Sequence, residues 1–120
     1  MLNEYLNTYT RKRMQLCHSL AGNKVEYLHI HNAYSETEQS KKRVIFITSR
    51  VHPGETNASW MLQGLLDVLL RPQTEEEKQL SKNLKEHFEF YIVPMLNVDG
   101  VINGNYRCSL AACDLNRKFG

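Results

Sequence analysis

The chain has 120 residues, of which 42% are apolar, and its 15 basic residues nearly balance 13 acidic ones. This length allows one modest globular domain, and a net charge of +2 is too small for a dedicated nucleic-acid-binding protein. The start lacks a secretory signal, and no apolar run approaches the ~20 residues that cross a bilayer. We therefore expect a cytoplasmic protein without nucleic-acid or membrane partners. Its three cysteines, Cys17, Cys108 and Cys113, are expected to be reduced thiols.

The first third of the chain predicts one helix and two strands. Apolar residues recur every three or four positions over residues 2–20, which predicts an amphipathic helix closed by Gly22. Alternating polarity predicts a strand at 25–31, and the polar residues 32–42 predict a loop. Residues 43–49 are consecutively apolar and β-branched, which predicts a central strand covered by helices on both faces.

Two helices are predicted next. Asn57 and Ser59 are both candidate N-caps for the first helix, which ends at Pro72. The second begins at Thr74, because Thr74 and Glu77 have the spacing of a capping box. The first of these helices follows the predicted strand at 43–49 through a loop, and this strand-loop-helix order predicts an α/β topology.

The last third predicts one strand and then irregular structure. Residues 88–94 form an apolar, aromatic-rich run that predicts a strand. The residues after Met95 are rich in Asn, Gly and Asp and have no long apolar run. They predict loop or short edge structure.

The turn after the predicted strand at 43–49 carries His52 and Glu55. Pro53 biases His52 away from helical dihedral angles, so the imidazole should project from the carboxyl end of the strand, where open α/β sheets bind ligands. Gly54 lets the chain turn back and brings Glu55 alongside. Imidazole nitrogen and carboxylate oxygen both bind zinc, so the pair predicts two ligands of a metal site. The alternative is a hydrogen-bonded turn histidine beside a solvated glutamate.

A second polar group lies within residues 97–107 and 114–117. The guanidinium groups of Arg107 and Arg117 present planar forks that match a carboxylate, and Asn116 adds an amide donor. This group suits the anionic end of a substrate. The alternative is that the arginines form surface ion pairs worth about 0–1 kcal/mol each.

Three sequence blocks together resemble the zinc metallocarboxypeptidases, and most closely their cytosolic carboxypeptidase branch. The blocks are His52-Pro53-Gly54-Glu55-Thr56, residues 97–107 and Asp114-Leu115-Asn116-Arg117. The likeness runs from about residue 43 to residue 119. It implies a three-layer α/β fold in which helices flank a mixed central sheet.

The resemblance also implies roles for the residues of the first block. His52 and Glu55 would bind one Zn²⁺, and Asp114 would accept the other ring proton of His52 and fix its orientation. The family's reaction is peptide hydrolysis by zinc-activated water.

For the substrate, the resemblance implies that Arg107 polarises the scissile carbonyl, while Asn116 and Arg117 hold the terminal carboxylate. Cytosolic members typically remove glutamates from polyglutamylated proteins such as tubulin. The implied partners are therefore acidic or glutamylated C-terminal tails, in the cytoplasm and in association with the cytoskeleton.

Among the departures of the chain from the family pattern, two concern the predicted site. A third ligand, a histidine, and a glutamate general base are expected far downstream of Asn116, so we interpret residues 1–120 as an incomplete amino-terminal portion of a catalytic domain. Alone, it should be inactive. Ala112 stands where glycine is common before Asp114, which is expected to strain that loop.

Two other functions are compatible with these residues. Zinc amidohydrolases of the aspartoacylase and desuccinylase group also use His-x-x-Glu and Asp-x-Asn-Arg, but generally have Gly-Asn where this chain has Pro53 and Gly54. A non-enzymatic module could also retain the carboxylate-binding residues and bind acidic C-terminal tails without turnover.

Overall fold

In a computed structural model of the chain, residues 11–32 and 42–119 are described. They form a four-stranded mixed sheet, in the order β1-β2-β4-β3, and this confirms the predicted α/β class. No helix in these two stretches is long and apolar enough to cross a membrane. The elements are β1 (Arg11–His18), β2 (Lys24–Ile30), β3 (Arg43–Thr48), α1 (Asn57–Leu70), α2 (Glu75–His87), β4 (Phe88–Val93), α3 (Val98–Ile102) and a 3₁₀ turn at Leu115–Arg117.

The predicted helix over residues 2–20 is wrong where the structure describes it. Residues 11–18 form β1, which pairs antiparallel with β2, while residues 1–10 lie outside the described part. Within β1, Met14 and Leu16 are two positions apart, as in a strand, and a register shift follows between Gln15 and Cys17. Gly22 does end an element, but as the positive-φ residue of a hairpin turn.

The strand predicted at 43–49 is confirmed as β3, but its predicted central position is wrong. Among the described strands β3 lies at the sheet edge, parallel to β4. Ile45 and Ile47 pack against the helical core, whereas Val44 and Phe46 on the opposite face are 62% and 61% exposed. A continuous apolar run is typical of a strand that is buried on both faces, and the described residues pack on only one face of β3.

The two predicted helices are confirmed, with one corrected cap. Thr56 is the N-cap residue of α1 and makes no side-chain cap bond, so the prediction of Asn57 or Ser59 as the cap is wrong. The capping box of α2 is present: Glu77 N donates to Thr74 Oγ1 at 3.1 Å, and Thr74 N donates to Glu77 Oε2 at 3.2 Å.

The core lies between α1 and one face of the sheet, with Leu84 of α2 packed at its border. Each fully buried aliphatic or aromatic side chain contributes about 1.5–3 kcal/mol. This packing fixes β3 beside β4, so that the loops leaving their carboxyl ends lie next to each other. The buried members of the core are Leu28, Ile30, Leu62, Leu66, Leu69, Leu70, Phe90 and Ile92.

The segment after Met95 is more regular than predicted. Instead of loop or edge structure, it contains α3 and the 3₁₀ turn, and Asn97 caps α3 by accepting from Gly100 N at 3.1 Å. The side-chain cap stabilises a helix too short to show a clear periodic pattern. All three cysteines are free thiols, as predicted.

Candidate metal centre

The loop after β3 presents His52, which is only 7% exposed, between two carboxylates. Its Nδ1 lies 3.1 Å from Glu55 Oε1, and its Nε2 lies 3.0 Å from Asp114 Oδ1. The structure therefore brings the predicted pair together and places Asp114, 62 residues further along the chain, on the other side of the ring.

The protonation of the ring follows from these partners. If Nε2–H donates to Asp114, neutral His52 has a bare lone pair on Nδ1 facing a Glu55 oxygen. Two acceptors at this distance require a proton or a cation between them. Two ligand atoms of one tetrahedral zinc ion lie about 3.3 Å apart, so the observed 3.1 Å separation fits a shared ion.

The donor set is incomplete for a zinc site within residues 11–32 and 42–119. No group of three His, Cys, Asp or Glu side chains suited to one ion occurs there. The predicted pair, His52 and Glu55, supplies two donors, one fewer than the three protein ligands of a catalytic zinc ion.

Asp114 connects the metal pair to the predicted substrate-binding residues. One oxygen accepts from His52 and from Asn116 N at 2.9 Å, and the other accepts from Arg107 Nε at 2.7 Å. Burial raises the pKa of the Asp114 carboxyl, but the hydrogen bonds from His52, Arg107 and the amide of residue 116 outweigh it and leave the pKa below its ordinary value. Asp114 is therefore an anion that orients the ring and one arginine together.

The predicted substrate-binding residues lie at the surface. Asn116 and Arg117 belong to the 3₁₀ turn and are exposed, and Arg117 Nη1 donates to Asn116 O at 3.2 Å. Arg107 has 45% of its side chain exposed. Ala112 has a φ of +56°, which confirms the strain expected where glycine is usual.

We call residues 49–56, which lie between β3 and α1 and carry His52 and Glu55, the metal loop. Sequence reasoning missed the residues that hold this loop in place. Asn97 is 3% exposed; its backbone N donates to Arg50 O at 3.1 Å and its side chain donates to Val51 O at 3.2 Å. Gly54 N donates to Tyr106 O at 2.7 Å, which joins the metal loop to the Arg107 loop. The pattern Asn-x-x-Gly before α3 was a readable cap signal, whereas its contacts with the metal loop were not.

Asp99 anchors the other side of this region. Its carboxylate accepts from Ser19 Oγ at 2.5 Å, from Asn23 Nδ2 at 2.9 Å and from Ala21 N at 3.1 Å. The hydrogen bonds from Ser19 and Asn23 lower the pKa of Asp99 against the opposing effect of burial. The β1–β2 turn is thereby fixed against α3, directly behind the metal loop.

Known proteins resemble this chain in sequence. The family model described as zinc carboxypeptidase matches residues 4–120. Cytosolic carboxypeptidase 2 of Danio rerio is 51% identical over 105 residues, which cover 87% of this chain and 14% of the relative. Cytosolic carboxypeptidase 3 of Bos taurus is 48% identical over 104 residues, which cover 87% of this chain and 10% of the relative. The chain thus spans about a tenth of these curated relatives.

Solved structures share the fold. A metallo-carboxypeptidase from Burkholderia cenocepacia superposes with a TM-score of 0.86 at 28% identity, over 98% of this chain and 30% of that one. A metallo-carboxypeptidase from Pseudomonas aeruginosa, in complex with (2-guanidinoethylmercapto)succinic acid, gives 0.77 at 29% identity, over 97% and 28%. With the family match across almost the whole sequence and relatives near 50% identity, the chain belongs to the zinc carboxypeptidase family.

Proposed function

We propose that the protein acts as a zinc-dependent metallocarboxypeptidase that removes C-terminal residues, specifically glutamates from polyglutamylated proteins such as tubulin. The observation that carries this proposal is the placement of His52 between Glu55 and Asp114, with Arg107 on the same aspartate. The proposed metal ligand His52, the orienting carboxylate of Asp114 and the substrate-binding Arg107 are thus joined in one hydrogen-bonded network.

The residues present fit a zinc ion. His52 Nδ1 and Glu55 Oε1 would hold it, and Asp114 fixes the tautomer that leaves Nδ1 free to bind. When bound, zinc supplies Lewis acidity and an activated water nucleophile. Arg107 contributes a positive charge beside this site, where negative charge develops on the carbonyl oxygen during hydrolysis.

Arginine and amide donors support the preference for a free C-terminus. Arg117 and Asn116 are exposed on the 3₁₀ turn, next to Asp114, and a guanidinium binds a carboxylate through two parallel hydrogen bonds. The Pseudomonas aeruginosa relative is in complex with a succinic acid derivative, which supports carboxylate binding in this fold. That ligand also carries a guanidinium group, so the preference for glutamate rests on the family resemblance and not on this ligand.

The names of the curated relatives support the assignment of location. Cytosolic carboxypeptidases are named for the cytosol, so we assign this chain to the cytoplasm. The proposed partners, glutamylated tails including those of cytoskeletal tubulin, rest on the family resemblance and not on these names. The match to about 30% of each solved chain supports the assignment of residues 1–120 to a portion of a catalytic domain. With two zinc ligands in place, the isolated chain should show no turnover.

A chimaera tests the function directly. The matching segment of the Danio rerio relative is replaced by residues 4–120, and purified protein is given a peptide ending in several glutamates. We expect chelator-sensitive release of C-terminal glutamate, and no release from the same peptide with an amidated C-terminus. The His52→Ala and Glu55→Gln chimaeras should lose release, because each removes a zinc ligand.

The controls separate a folding failure from a functional one. The unaltered relative shows that the assay works, and thermal unfolding with bound-zinc analysis shows that the chimaera is folded and loaded. A folded, zinc-loaded chimaera that releases no glutamate, beside an active relative, would overturn the proposed function.

A further inference from the structure

We propose that Arg50 is a positioning residue that holds the loop carrying both metal ligands in its binding geometry. The inference rests on the proposed function, because it assigns Arg50 a role toward the zinc ion. Nothing in the sequence motifs points to this arginine, which precedes the His-x-x-Glu pair by two positions.

The guanidinium of Arg50 folds back over its own loop. Its Nε and Nη2 donate to Pro53 O at 3.1 Å and 2.6 Å, and its Nη1 donates to Ser59 Oγ at 3.0 Å. One side chain therefore binds the peptide group between the two ligands and the first turn of α1, the helix that begins after Glu55. Arg50 connects the two ends of the segment that presents Glu55.

The backbone at Arg50 is held in an unfavourable conformation. Its φ is +55°, in the left-handed region that arginine rarely adopts. Such conformations persist when surrounding interactions fix them, and they concentrate at functional sites. Here Asn97 N donates to Arg50 O, and the guanidinium makes its three bonds on the other side.

The remaining carbonyls of the loop are also engaged, which shows what Arg50 adds. The side chain of Asn97 donates to Val51 O, and Glu55 N donates to His52 O at 3.3 Å. Pro53 is the position that the guanidinium holds. Because Pro53 lies between the ligands, rotation of its peptide group would separate the His52 ring from the Glu55 carboxylate.

Three substitutions separate the side chain from the backbone. Arg50→Gly removes the guanidinium and also relieves the positive φ, so it should leave the unfolding temperature of the metal-free chain nearly unchanged. Arg50→Lys keeps the positive charge but loses the planar fork, and should restore part of the effect. Arg71→Lys, at an exposed ion pair with Asp67, is the matched control.

Two measurements on the 120-residue chain test the role. In Zn²⁺ titrations against a chelating dye, Arg50→Gly should weaken binding at least tenfold, Arg50→Lys less, and Arg71→Lys not at all. In the metal-free chain, the NMR signals of the His52 ring nitrogens should move toward free-imidazole values in Arg50→Gly, by less in Arg50→Lys, and not in Arg71→Lys. His52→Ala defines the background in both experiments.

The outcomes distinguish this inference from the proposed function. If Arg50→Gly leaves both the zinc affinity and the His52 ring signals unchanged, Arg50 is not a positioning residue. If the unaltered chain binds zinc no better than His52→Ala, its two donors do not hold the ion without a third ligand. The bound zinc of the chimaera then decides the metal assignment, and the ring signals of the metal-free chain still decide the role of Arg50. A loss of affinity that matches an equal loss of folded protein would also overturn the inference, because it would show general destabilisation.

Discussion

The metal loop and the substrate-binding residues are built in opposite ways. His52 is 7% exposed, and the loop around it is bonded through Arg50, Asn97 and the Tyr106 carbonyl. Arg117, by contrast, is exposed and donates to the carbonyl of its own neighbour. The metal half is preorganised before any ligand arrives, whereas the substrate half keeps side-chain freedom that a bound carboxylate must restrict.

This contrast predicts that substitutions behind the metal loop change stability or metal affinity strongly, and that substitutions in the substrate-binding residues change them little. Asp114 is the point where the two halves meet, because it binds His52 with one oxygen and Arg107 with the other.

The largest effect is expected at Gly100, which lies against the metal loop. A Cβ there would be 2.4 Å from Pro53 Cγ and 2.9 Å from the backbone oxygen of Cys108, so Gly100→Ala should lower the free energy of unfolding by about 1–3 kcal/mol. Chemical denaturation measures this. Gly64→Ala is the control: it has open space within α1 and should stabilise by about 0.5–1 kcal/mol. Equal changes in both variants would contradict a tightly packed metal loop.

The next largest effect is expected at Asp114, which binds both His52 and Arg107. Asp114→Ala removes the acceptor of the His52 ring proton, so zinc affinity should fall by about 10–100-fold, as is typical when such orienting partners are lost. Calorimetric Zn²⁺ titration measures the change. Asp67→Ala removes an exposed carboxylate and should leave the affinity unaltered. If both variants bind zinc as the unaltered chain does, Asp114 does not orient the metal ligand.

The parts of the candidate site that could be predicted from the residues are those formed by neighbours in the sequence. The meeting of His52 and Glu55 followed from three-residue spacing and the conformational preference of Pro53. Asp114 is 62 positions away from His52, so composition and periodicity could not place it, and only family resemblance did. The role of Arg50 depends on a positive φ that local preferences disfavour for arginine, so no sequence pattern announces it.

The fold was predictable where one signal dominated. The capping box at Thr74 fixed the start of α2 correctly, because both halves of the motif are local. The helical pattern drawn over residues 2–20 concealed the strand at residues 11–18, which pairs with β2 across a hairpin. Val44 and Phe46 made β3 resemble a central strand, although tertiary context places it at the edge of the described sheet.

A smaller, pH-dependent effect is expected at Asp99. Its folded pKa is lowered, so its contribution to stability is complete above the unfolded value of about 3.9 and is lost as the pH falls from there through the folded pKa. The unfolding free energy of the chain should therefore decline below about pH 4 more steeply than that of Asp99→Asn. Asp67→Asn, at the α1 surface, should keep the steep decline. Parallel curves for the chain and Asp99→Asn would contradict this anchor.

The smallest effect on stability is expected at Arg117, where the contrast is sharpest. Arg117→Ala should change the free energy of unfolding by no more than about 0.5 kcal/mol, because the side chain is exposed. Arg117→Ala should nevertheless weaken the binding of a glutamate-ended peptide severalfold. In calorimetric titrations it should also abolish the preference for a peptide with a free C-terminus over one with an amidated C-terminus. Arg13→Ala, at an exposed pair with Glu26, is the control and should keep that preference. A chain that binds acid and amide peptides equally would show that these residues do not read the terminal carboxylate. Because the metal loop does not depend on Arg117, zinc affinity should stay the same in Arg117→Ala and in Arg13→Ala.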